Sequence, residues 1–200
     1  MKICKIFLVL LLMAPLSAFA EIVTVGVQVG WSVPQGDAFK FGDESTKGTK
    51  GGLNVDADIL YHFSLLGGGR LAAGITYNGS FLFGASVADV KSIDFYSHRM
   101  YGLKARFNLL PGIVPVISPY IALSAGFARL SVPAISASLE NGFEAKAERA
   151  NSFGLRPEIG VQLSKFSVSA GYIIPTNYSF DSRGTKNAGI LQISLGMRLP

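Results

Sequence analysis

Cysteine is nearly absent from this sequence: Cys4 is the single one in 200 residues. With one thiol, neither a disulfide framework nor a thiolate metal site can be built, and redox chemistry is excluded with them. Histidine is almost as scarce, and His62 and His98 stand apart without a neighbouring pair of carboxylates in sequence. No metal and no cofactor is therefore expected. Charge is sparse too, at 16% of residues, and the 18 basic against 13 acidic side chains are dispersed along the chain. That excess is too small for a nucleic-acid footprint. A Pro/Ser-rich linker is missing, so one domain is expected. Also missing, after residue 20, is any amphipathic stretch of period 3.6 and ordinary helix length.

What the first 20 residues hold is a leader. Lys2 and Lys5 precede a short apolar run, Pro15 interrupts its end, and Ala18-Phe19-Ala20 supplies an A-x-A cleavage pattern. The run is short for a membrane-spanning helix, and Cys4 precedes it, where a lipoprotein cysteine would follow. Residues 1–20 are expected to be cleaved as a signal peptide, leaving 21–200 as one domain.

Beyond the leader, eight stretches alternate with period 2. The first sets Val23, Val25, Val27, Val29 and Trp31 against Thr24, Gly26, Gln28 and Gly30. The second separates Leu53, Val55, Ala57, Ile59, Tyr61 and Phe63 from Asn54, Asp56, Asp58, Leu60, His62 and Ser64. The same division recurs over about 70–83, 94–109, 116–130, 153–163, 166–173 and 189–199. Each run is about ten residues or more, long for a soluble strand and matched to a bilayer crossed at a tilt. Connections alternate as well: 32–51, 84–93, 131–151 and 175–188 are long and polar, while "LLGGG", "LPGIVP" and "SK" are brief. Long loops at one end and tight turns at the other are the layout of a membrane barrel.

Alternation alone does not separate a membrane barrel from a soluble one with an apolar interior. Charge placement does. The polar face carries Asp56, Asp58, Lys104, Arg106, Arg156, Glu158 and Arg198, and the apolar face is nearly free of charge between strand ends. Aromatic residues of the apolar face fall toward strand ends: Trp31, Phe81, Phe83, Phe127 and Phe153 at one, Tyr61, Phe63, Phe107 and Phe166 at the other. Two aromatic girdles around an aliphatic band suit a bilayer. The expected fold is all-β: an eight-stranded antiparallel up-and-down transmembrane β-barrel. It would sit in the outer membrane of a Gram-negative-type bacterium, with both termini periplasmic and a polar lumen.

With the "PYIALSAGFARL" strand and "PEIGVQLSKFSVSAGY" near the end, the chain resembles the small outer-membrane β-barrel proteins of the OmpA/OmpX type. The resemblance spans the whole of 21–200 and rests on patterns rather than fixed residues. It implies outer-membrane lipid and the outer-membrane assembly machinery as partners. One departure is plain: the chain ends "LGMRLP" where such barrels end on an aromatic residue. No periplasmic domain is expected after the barrel.

An eight-stranded interior is just filled by side chains, so a wide pore is not expected. Strands two, four and six run the same way, and Asp58, Lys104 and Glu158 lie five or six residues from their short-turn ends. These three are expected to meet at one depth, joined by Asp56, Arg106 and Arg156, as a salt-bridged plug. The role then falls to envelope structure or to surface interaction through the long loops. An extracellular ligand there would meet mixed charge and the anchors Phe39, Phe41 and Phe143. A narrow porin-like channel is the alternative. A lipid A-modifying enzyme, with His62, Ser64 and Glu158 as a Ser-His-acid set, is the weaker reading, because His62 and Ser64 belong to the short-turn end. No enzyme activity, no nucleic-acid partner and a monomer are expected.

Overall fold

The structure, a computed structural model, describes residues 23–41, 46–47, 49–64, 70–84, 90–93, 95–109, 117–133, 135–137, 143–145, 147–182 and 184–199. Residues 1–20, the expected leader, together with the terminal Pro200 and the side chains of Phe41, Ser64 and Phe143, lie outside the described residues.

Eight long strands form the molecule: β1 (Val23–Gln35), β2 (Thr49–Ser64), β3 (Arg70–Gly84), β4 (Tyr96–Asn108), β5 (Ile117–Val132), β6 (Glu148–Leu163), β7 (Phe166–Phe180) and β8 (Gly184–Leu199). Each pairs antiparallel with its neighbour in sequence, and β1 closes the ring on β8 from Val25↔Leu199 to Gln35↔Gly189. Closure leaves no free strand at the end of the sheet, as a bilayer demands; the β6–β7 ladder is the shortest, running from Glu158↔Gly171 to Leu163↔Phe166. The two-residue turn Ser164–Lys165 joins β6 to β7. Ser164 takes φ +56°, the left-handed conformation that such tight hairpins need.

Exposure decides which face meets the surroundings. Leu103 is 67% exposed, Ile159 64%, Leu195 61% and Phe127 80%, while Arg156 is 1% and Lys104 2%. The apolar face is the outside of the barrel. A wetted sheet could not leave this continuous aliphatic wall in water, so the soluble-barrel alternative is excluded. Both aromatic ends are present on that wall: Trp31 lies 6.0 Å from Phe83 at the long-loop end, and Tyr61 4.8 Å from Phe63 at the other.

The strands are 13 to 16 residues long, and all but β4, which is shorter than the expected 94–109, exceed the sequence pattern. The excess lies at the long-loop end. The expected fourth long connection at 175–188 is mostly strand, with only residues 181–183 between β7 and β8. A register shift between Ile173 and Thr176, around Pro175, marks where β7 leaves the simple pattern; proline has no N–H for the ladder. Short strands also occupy the other long connections. Lys40–Phe41 pairs with Thr46–Lys47, and Phe143–Ala145, Ile135–Ala137 and Val90–Ile93 form a three-stranded sheet joining the second and third connections.

In these extensions the hydrophobic alternation inverts. Leu82, Met100, Leu130, Val132, Ala150, Tyr178 and Ile190 point inward and are buried, whereas Arg129, Ser131, Asn151 and Asn177 face outward. Below this level the barrel is apolar outside and polar inside; above it the order reverses on β4–β7, whereas on β1 and β3 Val33 and Phe83 still face outward and Ser32 and Ser80 inward.

Candidate functional site

The polar interior is built from alternate residues whose neighbours form the outer wall, so strand parity sends these charges into the lumen. Asp56, Asp58, Lys104, Arg156 and Glu158 are all buried there, together with Arg198. Lys104 Nζ lies 3.1 Å from Asp58 Oδ2 and 3.0 Å from Glu158 Oε2. Arg156 reaches the same Glu158 oxygen at 2.6 Å through Nη1 and Asp56 Oδ2 at 2.9 Å through Nη2. Arg198 Nη2 closes the chain on Asp58 Oδ1 at 2.7 Å. Three carboxylates and three cations thus run as Asp56–Arg156–Glu158–Lys104–Asp58–Arg198, neutral in sum.

Neutral groups take up much of the remaining hydrogen-bonding capacity, while Asp58 Oδ1 is buried without a hydrogen bond among the described residues. Tyr120 donates its hydroxyl to Glu158 Oε1 at 2.9 Å. Gln192 accepts from Arg156 Nε at 2.6 Å, and its amide donates to Asn78 Oδ1 at 3.1 Å and Ser80 at 2.9 Å. Asn78 in turn donates to Asp56. Buried charges are tolerable only when paired and hydrogen-bonded, and this set meets both conditions.

Arg106, expected in the same layer, stands apart from it. It makes no ion pair among the described residues. Its guanidinium lies 3.6 Å over the Tyr120 ring and bonds Asn108 at 3.1 Å and Gln162 at 2.5 Å. Two residues nearer the short-turn end than Lys104, it is held by a cation–π contact and side-chain amides rather than by carboxylates. Arg198 takes the place in the ion chain that the sequence reading gave to Arg106.

Two glycines make room for the guanidinium groups. A Cβ at Gly171 would fall 2.8 Å from Arg156 Nη2, and one at Gly26 would fall 2.7 Å from both Arg198 Nη2 and Asp58 Oδ1. Their register partners are Glu158 for Gly171 and both Asp58 and Arg198 for Gly26, a relation that only the strand pairing reveals.

The lumen is also filled at its long-loop end. Ala38 and Phe39, in a 3-10 turn of the first connection, tuck into the barrel mouth; Phe39 is 3% exposed, with its ring 5.9 Å from that of Tyr96. Asp37 N–H donates to Asn187 Oδ1 at 2.9 Å, fixing the turn to β8. The Lys40 ammonium, 2.8 Å away, holds the Asp37 carboxyl below its usual range. Phe39, expected as an exposed loop anchor, is thus part of the interior.

Of the residues considered for catalysis, His62 and Glu158 are engaged with other partners, and the Ser64 side chain lies outside the described residues. His62 Nε2 shares a 2.9 Å hydrogen bond with Thr24, and Glu158 is engaged by Lys104, Arg156 and Tyr120. His98, wholly buried in the apolar end, pairs with the Tyr178 hydroxyl at 2.9 Å. Among the described residues no group of three metal-ligating side chains comes together.

No protein-family model matches the chain, and no curated protein matches it. Among solved structures, Neisserial surface protein A superposes with a TM-score of 0.55 at 17% identity, covering 88% of this chain and 96% of that one. The attachment invasion locus protein Ail of Yersinia pestis gives 0.46 at 14% identity, covering 88% and 98%. The outer membrane protein OprG from Pseudomonas aeruginosa gives 0.47 at 12%, covering 89% and 96%. At these identities the likeness speaks to fold, and the fold statement rests on the first of the three together with the barrel's own closure. The chain has the closed eight-stranded, antiparallel up-and-down fold of the small outer-membrane β-barrels.

Proposed function

We propose that this protein is a monomeric outer-membrane barrel with a closed lumen, and that it serves the envelope and its outer surface rather than transport. Both termini, and the short turns, face the periplasm; the long connections face outward. The observation that carries this reading is the neutral ion chain linking β2, β4, β6 and β8 across the interior, with every member 6% exposed or less.

A conducting lumen would need these charges hydrated and separated. Instead each carboxylate meets two cations or a cation and an amide, and the apolar turn at the mouth adds a second closure. Surface interaction would then fall to the long connections, where the three-stranded sheet ties two of them into one platform. Glu158, the acid of the enzyme reading, is committed instead to Lys104, Arg156 and Tyr120.

Fractionation of cells expressing the full chain tests the location. The mature protein is expected in the outer-membrane fraction, with gel mobility that changes on boiling; recovery as a soluble periplasmic protein would overturn the proposal. Liposome swelling tests the closure: reconstituted barrels should admit small sugars no faster than empty vesicles.

A further inference from the structure

We propose that the outer wall of β4, β5 and β6 at the long-loop end binds the phosphorylated headgroup of an outer-leaflet glycolipid, with Arg99 and Arg129 as its phosphate-binding pair. The proposal rests on the outer-membrane reading above.

The register places Arg99 directly opposite Arg129, and Arg129 opposite Asn151. All three are exposed, and Arg129 Nε donates to Asn151 Oδ1 at 2.9 Å, so one guanidinium is held in place. Arg149 stands exposed two residues from Asn151 on the same face of β6. Directly opposed strand residues have Cα atoms about 4.5–5.5 Å apart, and like charges at such positions repel. Among the described residues nothing on the wall offsets them. The outward neighbours Gly79, Ser97, Tyr101, Phe127 and Ser131 carry no carboxylate, and none of the three arginines makes an ion pair among the described residues. An anion bridging two guanidinium forks would turn the repulsion into binding, and a phosphate has the oxygen geometry for it.

The depth of the pair identifies the anion's carrier. One step toward the short-turn end lies an unbroken outward row of aromatic residues across four strands, Tyr77–Tyr101–Phe127–Phe153. Such a row marks the interface, where rings lie at headgroup level with acyl chains beneath. The arginine row begins where the wall stops being apolar. Tyr77 adds a hydroxyl to it: a Cβ at Gly79, which pairs with Arg99, would lie 2.6 Å from Tyr77 Oη. Cations, a hydroxyl and an amide above an aromatic shelf suit an amphiphile with an anionic, hydrogen-bonding head.

The test is retention of defined ligands by the folded full-length mature barrel in detergent, read by native mass spectrometry. Bisphosphorylated lipid A should stay bound to wild type, and R99Q/R129Q should weaken it at least tenfold. R99K/R129K, which keeps the charge but loses the fork, should fall between. Dephosphorylated lipid A should bind both proteins alike and weakly, and millimolar inorganic phosphate should not displace the lipid. Equal retention by wild type and R99Q/R129Q would overturn the site, and displacement by inorganic phosphate would overturn its assignment to a glycolipid. A second readout does not depend on affinity. In phosphatidylcholine vesicles R99Q should leave the melting temperature unchanged or raise it, and in vesicles containing bisphosphorylated lipid A it should lower it. The same change in both vesicles contradicts the proposal. A chain that inserts into vesicles and fails these tests overturns this site alone; one that never inserts overturns the outer-membrane reading and the site with it.

Discussion

Arg156 on β6 and Asp56 on β2 stand four strands apart in a ring of eight, on opposite walls of the barrel, and their side chains meet at 2.9 Å. Removing one partner strands the other in a space too dry to solvate it. Arg156→Ala is therefore expected to cost about 3–5 kcal/mol of folding stability. In a double-mutant cycle, Asp56→Asn and Arg156→Gln should couple by about 0.5–3 kcal/mol. Reversible urea unfolding in vesicles measures both, and additive effects would show that the pair does not act as one.

Arg106 offers the contrasting case. Its guanidinium is held by Tyr120, Asn108 and Gln162 and leaves no carboxylate behind when removed. Arg106→Gln should cost less than Arg156→Ala in the same assay, by the difference between losing a cation–π contact and orphaning two buried acids. An equal loss would place Arg106 back in the ion chain.

Much of this was legible before the structure because a barrel strand has a period of two and fixed direction. Asp58, Lys104 and Glu158 could be placed at one depth by counting from the turns, and the distances between them agree with that count. The shift of pairing partners around the ring was not legible. It brings Arg198, near the end of β8, onto Asp58 and leaves Arg106 one step too low, and only the register supplies it. The strand extensions were hidden for a different reason. Once a strand passes the aromatic row its surroundings change from lipid to headgroups and water, so Leu130 and Val132 turn inward while Arg129 turns out. A reader following one hydrophobic phase loses the strand there. The pairing of Val90–Ile93 with Ile135–Ala137 joins segments distant in sequence and leaves no local pattern.

The inversion makes its own prediction. Leu123 faces out at 50% exposure in the apolar band, and Ser131 faces out on the same strand beyond the aromatic row. Leu123→Arg should cost about 2–4 kcal/mol in lipid, and Ser131→Arg about 0–1 kcal/mol. Leu130→Ala, which empties an inward site, should cost about 2–5 kcal/mol. Similar costs for the two arginine substitutions would mean that the membrane boundary is misplaced.

Phe39 anchors the turn in the mouth. Phe39→Ala should free the first connection, so that trypsin cuts at Lys40 or Lys47 faster than in wild type while the boiled and unboiled forms still differ on gels. Unchanged cleavage would show that the Asp37–Asn187 contact holds the turn unaided.

Gly171 tests the space the network needs. A side chain there meets the Arg156 guanidinium, so Gly171→Val should cost about 1–3 kcal/mol by overpacking. Adding Gly171→Val to Arg156→Leu should cost less than adding it to wild type, because the guanidinium it would meet is gone; an equal cost in both backgrounds would mean the clash lies with the backbone.

Single-barrel conductance in planar bilayers tests the central claim that the ion chain closes the lumen. Wild type should carry little or no steady current, and Lys104→Ala, which breaks the link between Glu158 and Asp58, should carry measurably more at the same voltage. A wild type that conducts steadily, with the same current after Lys104→Ala, would contradict it.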